Sequence, residues 1–120
     1  VSAVEELRRP SPAVAGGARL LLVARNDIRH SGTQGISLDP MDGAELRYNL
    51  VRTSGLEGIY VSSDSDGNDI HDNDFRGNDG VDCKDESTGG SPGAPSYGTA
   101  NNWIANLGAE STPAGICSLP

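Results

Sequence analysis

The chain has 120 residues, a formal net charge of −8 and a pI near 4.5. That balance excludes a nucleic-acid binder working through basic patches, and it disfavours anionic membrane surfaces and tight, cation-free binding of acidic polysaccharide. At this length the chain is one domain at most, and 35% hydrophobic with 4% aromatic residues suits a thin solenoid better than a thick globular core.

Residues 1–17 are the least repetitive stretch and are expected to be a leader or an N-terminal cap. Val4-Glu5-Glu6-Leu7-Arg8-Arg9 fits one or two helical turns, which Pro10 and Pro12 stop. The run Leu20-Leu21-Leu22-Val23-Ala24 falls far short of the roughly 20 residues of a membrane span, and its flanks are wrong for an export signal. The chain starts at Val1 rather than Met, so it is read as a mature or trimmed product from which such a signal was removed. Whether it is one piece of a longer solenoid is left open.

From there on, one phrase recurs: Asn, in three of four copies a hydrophobic residue two positions on, a polar Gly-rich turn, then Gly and a short apolar alternation. The first copy is Asn26-Asp27-Ile28 with Gly35-Ile36-Ser37-Leu38, and the second is Asn49-Leu50-Val51 with Gly58-Ile59-Tyr60-Val61. The third is Asn73-Asp74-Phe75 with Gly80-Val81-Asp82-Cys83, and the fourth is Asn106-Leu107-Gly108 with Gly115-Ile116-Cys117. An apolar residue, Val23, Leu46, Ile70 or Trp103, stands three positions before each Asn. The Asn residues are 23, 24 and 33 positions apart, the last interval being stretched by an insertion over 85–98 rich in Gly, Pro and Ser. A period in the low twenties marks a solenoid, whose single repeat cannot bury its own apolar face. The apolar runs are short, alternating and β-branched rather than helical, which separates this pattern from a leucine-rich repeat.

These repeats predict an all-β fold: a short parallel β-helix of about four to five coils over 18–120. Gly and Asn suit its tight turns. The Asn side chains are expected to stack as a ladder, a structural role for Asn26, Asn49, Asn73 and Asn106. Trp103 is expected in the slot of Ile70, closing the lumen. The insertion is expected to project from one corner as a functional or disordered loop. Cys83 and Cys117 fall in successive copies, as a disulfide of an exported protein would place them. Strict alternation points them to opposite faces, however, so bonding requires the last coil to slip or bulge, and otherwise both thiols are free.

With these repeats, and with the closing segment GTANNWIANLGAESTPAGIC, the chain resembles right-handed parallel β-helix proteins of the pectin-lyase-like superfamily, in particular uncharacterised secreted bacterial members. The resemblance implies secretion or a cell-surface location. It leaves activity open, because the fold hosts lyases, hydrolases, epimerases, adhesins and inert scaffolds.

Three groups of residues are candidates for chemistry. Asp64, Asp66, Asp79 and Asp82 are the candidate calcium ligands, held between adjacent coils. An EF-hand is excluded because Gly67 is the fourth residue of its loop and no helices flank it, and the competing reading is that these are turn residues. Asn78-Asp79-Gly80-Val81-Asp82 resembles the Asn-x-Asp-Gly-x-Asp signature of β-helix polygalacturonases, which implies acidic catalytic roles for Asp79 and Asp82. The family's Asp-Asp, Gly-His-Gly and Arg-x-Lys segments have no downstream counterpart, and glycoside hydrolysis needs two carboxylates across the bond. The third group is an outward column of Ser37, Tyr60 and Asp82 with Lys84, Asp85, Arg76 and His71 near it in sequence. A lyase or epimerase would ask these for a base and a cation, but His30 and His71 are not equivalent and nothing in the sequence sets either beside an acid or a base. The expectation is a secreted, non-catalytic β-helix module, structural or associated with polysaccharide. The alternative is a polysaccharide lyase, epimerase or hydrolase. No cofactor other than calcium is expected, and the coil ends offer a route to self-association.

Overall fold

A computed structural model describes residues 21–120; the expected N-terminal leader or cap lies outside the described residues. The chain winds into about four coils, each contributing up to three short strands to three separate faces. The first face stacks β1 (Leu21–Ala24), β4 (Ala44–Arg47), β7 (Asp69–His71) and β9 (Asn102–Ile104), all in parallel. The second pairs β2 (Asp27–Arg29) with β5 (Leu50–Arg52) and continues through single bridges at Asp74, Leu107 and Ser118. The third stacks β3 (Ile36–Leu38), β6 (Ile59–Val61), β8 (Cys83–Asp85) and β10 (Ser111–Thr112). This is the all-β parallel solenoid expected from the repeats.

Apolar side chains fill the lumen in columns. Val23, Leu46, Ile70 and Trp103 stand in register on the first face, and all are buried. Leu22 alternates outward and is 51% exposed, because its neighbour Val23 takes the inward slot.

The asparagine ladder is continuous. Nδ2 of Asn26 donates to Oδ1 of Asn49 at 3.0 Å, Asn49 to Asn73 at 2.9 Å and Asn73 to Asn106 at 3.0 Å. Each acceptor oxygen also takes the backbone N–H of the Asn before it, and Asn49, Asn73 and Asn106 donate back to the carbonyls of Val23, Leu46 and Ile70. One amide therefore stitches its own coil to both neighbours. The residue before each ladder Asn (Arg25, Tyr48, Asp72, Ala105) sits in the left-handed region at φ 57–59°. That conformation costs a non-glycine residue on the order of 1 kcal/mol, and the ladder's bonds offset the cost.

A second column, Asn68 over Asn101, was not legible. Asn68 donates to Asn101 Oδ1 at 2.8 Å, while Asn68 Oδ1 accepts the N–H of Ala44. The slot holds Ala in the second coil, so no Asn recurs there to be noticed.

The third and fourth copies require corrections. On the third face Ile36 pairs with Ile59 and Ile59 with Cys83, so Cys83, not Val81, continues the inward column. Asp82 thus falls in the slot of Gly58, Lys84 stacks on Tyr60 in the column of the buried Ser37, and Asp85 points inward in the column of Val61 and Leu38. Gly80 is not the counterpart of Gly35 and Gly58. The constant spacing is ten residues from Asn to the inward strand residue (Asn26 to Ile36, Asn49 to Ile59, Asn73 to Cys83). In the last coil Ser111 and Thr112 form the strand, and Pro113, with no N–H to donate, ends it.

The Gly115-Ile116-Cys117 segment then folds back over the end of the lumen, where Ile116 and Cys117 are buried. Cys117 therefore lies off the stacked strand, the alternation rule does not apply to it, and it is bonded to Cys83 with Cα atoms 6.3 Å apart. The insertion does not project either. Pro95 O accepts the N–H of Trp103 at 2.9 Å, and Tyr97 packs against the core, so the loop closes over the β9 edge.

Candidate functional site

Because Leu46, Ile70 and Trp103 point inward, their neighbours on the first face point outward. This sets Glu45, Asp69 and Asn102 in one outer column and Arg47, His71 and Ile104 beside it. His71 is held between two carboxylates: Asp72 Oδ2 lies 2.7 Å from Nδ1 and Glu45 Oε2 lies 2.8 Å from Nε2. A neutral imidazole has only one N–H, so satisfying both acceptors requires the doubly protonated ring. The hydrogen bond to Asp72, then that to Glu45, raises the His71 pKa above its ordinary value. Glu45 is lowered in turn, chiefly by His71 with help from Arg47. Tyr48 meets the His71 ring edge-on, with centroids 6.4 Å apart, and Arg25 lies over the Tyr48 ring.

Next to this cluster a depression of about 330 Å³ is lined by Asp69, Ile70, His71, Asn102 and Ile104. Ile104 is 54% exposed, an apolar surface among polar neighbours. Asn102 Nδ2 donates to Asp69 Oδ1 at 3.0 Å. Asn102 also borders a second depression of about 280 Å³, between Asp66 and the insertion residues Thr88, Gly89, Gly90 and Ser96.

The expected catalytic residues are not brought together at one point. Asp79 is exposed at a turn. Asp82 is buried and accepts the backbone N–H groups of Asn78 at 3.2 Å and Ala109 at 2.7 Å, which ties the third coil to the fourth. Asp85 is buried in the lumen, accepting from Trp103 Nε1 at 2.9 Å, Asn101 Nδ2 at 3.0 Å and Ser87. Arg76 is committed to Asp74, each shifting the other toward its charged form. Lys84 lies 3.6 Å from Glu86 on the third face. Glu86 also accepts from the Tyr60 hydroxyl and pushes the phenol up to about 12.

His71 lines the first depression, and the structure sets Asp72 and Glu45 beside it, where the sequence placed no acid or base. Of the candidate calcium ligands, Asp64 accepts from Ser62 and Asp66 borders the second depression. Among the described residues no group of three or more His, Cys, Asp or Glu converges as metal ligands do, and no helix is long and apolar enough to cross a membrane. Glu45 was missed because it is 26 residues from His71; only the register of β4 on β7 brings them together.

The coils, ladder and outer face define a parallel β-solenoid repeat module. Residues 17–110 match the family model described as NosD, periplasmic copper-binding protein, and the chain belongs to that family. The family's periplasmic setting agrees, at a coarse level, with the export expected from the sequence. No curated protein and no solved structure matches the chain.

Proposed function

We propose that this periplasmic β-helix module is a non-catalytic, carbohydrate-associated domain that engages glycan on its first face. The observation that carries the reading is the paired planar polar groups on that face, Asp69 with Asn102 and Glu45 with Arg47, beside the exposed Ile104. Planar amide and carboxylate groups match vicinal sugar hydroxyls, and an apolar side chain takes the C–H face of the ring. A non-catalytic role is supported by the commitments of Asp82, Asp85, Arg76 and His71, each engaged in bonds that hold the coils or their surface. A glycan array with and without calcium, followed by product analysis of every hit, tests this. Binding without turnover is expected. A cleaved product would favour a lyase, epimerase or hydrolase instead, and no binding would remove the carbohydrate reading.

The family's description names copper, but the donors among the described residues do not fit it. Cys83 and Cys117 are bonded to each other and Met41 is buried in the core. Glu45 and Asp72 lie on opposite ring nitrogens of His71, so no single ion meets the ring and both carboxylates.

A further inference from the structure

We propose that the two depressions flanking Asn102 form one groove, and that its ligand is a glycan bearing free amines rather than an acidic polysaccharide. This rests on the carbohydrate reading above and names its substrate class. Asn102 lines both depressions, which sets the shelf at Ile104 and His71 next to the recess beside the insertion. The two acids in the lining, Asp66 and Asp69, are exposed, and neither depression is lined by a lysine or arginine among the described residues. Asp69 spends one carboxylate oxygen on Asn102, leaving the other to accept. Both ring nitrogens of His71 are taken up by Asp72 and Glu45, so the ring is not left to pair with Asp66 or Asp69.

A uronate chain would meet uncompensated carboxylates in this groove. A 2-amino sugar would instead place an ammonium against Asp69 or Asp66, forming charge-assisted hydrogen bonds, with its ring over Ile104. The insertion, with Thr88 and Ser96 on the far wall, supplies hydroxyls for the neighbouring sugar.

The test compares oligosaccharides differing only at the 2-position, applied to the whole chain: glucosamine, N-acetylglucosamine and glucose oligomers, with galacturonate oligomers, with and without calcium, as the acidic arm. The amine-bearing oligomer is expected to bind roughly tenfold more tightly than its N-acetylated twin, the scale of one hydrogen bond to a charged group. The gap should narrow with added salt and close in an Asp66→Asn, Asp69→Asn variant whose melting is unchanged. The comparison of twins on the unaltered chain needs no substitution, so misfolding cannot mimic a negative result. Equal binding of the twins, or calcium-dependent preference for galacturonate, would overturn the proposal while leaving the carbohydrate reading in place. Binding to no glycan would overturn both.

Discussion

The second and third coils and the fourth coil solve the same problem by different means. In the middle of the stack every coil has a neighbour on both sides, and the repeated Asn, Ile and Val positions suffice to hold it. No further described coil stacks on the fourth. Its end is closed by features that occur once: the insertion bonded to the Trp103 N–H, the Cys83–Cys117 bond, the Ile116 segment over the lumen, and the buried Asp85 holding the Trp103 indole. A stack held by repeats is cheap to extend, but its terminus needs individual devices, as capping in repeat proteins requires.

Breaking the end should have the largest effect. Trp103→Ala removes the side chain that closes the first-face column and is expected to destabilise by about 3–5 kcal/mol in chemical denaturation. Trp103→Phe keeps most of the volume but strips Asp85 of its indole partner, and about 1–3 kcal/mol is expected. A Phe variant as damaging as the Ala variant would mean that the Asp85 bond, not packing, holds the end. Reducing the disulfide, whose cysteines are 34 residues apart, is expected to cost about 3–4 kcal/mol. Hydrogen exchange should then rise first around β10 rather than in β4 to β7.

Within the ladder, Asn73→Ala should cost about 2–4 kcal/mol, because it empties a position bonded in both directions. Asn26→Ala, which breaks the ladder at its first described rung, should cost about 1 kcal/mol. Equal losses would contradict a two-sided stitch.

The smallest effect concerns the surface. His71 should titrate above the ordinary histidine value in an NMR pH series, and Asp72→Asn or Glu45→Gln should bring it back down. Because its folded pKa is raised, the stability it contributes is fully present below about pH 6.5 and is lost as pH rises through the folded value. His71 is partly exposed, so the gain is a fraction of a kcal/mol.

Much of the fold was legible because the lumen imposes its chemistry on every coil: the Asn column and the Val23, Leu46, Ile70, Trp103 column both recur in sequence. What misled was the glycine. Gly80 imitates Gly35 and Gly58, yet chain length between corners, not residue type, sets the register. That slip turned Asp82 outward on paper and left Asp85 unrecognised as a lumen residue. The Asn68–Asn101 column escaped notice because an alanine stands in the preceding coil. The His71 cluster was illegible for a different reason: its partners come from adjacent coils, and contacts across coils appear only once the register is known.

The stacking itself is tested most directly by residue-resolved amide hydrogen exchange. The N–H groups of Asn26, Asn49 and Asn73 each bond a side-chain oxygen of the next coil rather than any backbone carbonyl in their own. The Asn49 and Asn73 amides should exchange as slowly as those within the strands, and Asn73→Ala should speed Asn49 far more than amides distant from the break. Fast exchange at these corners in the unaltered protein would contradict the column, and with it the placement of the outer face.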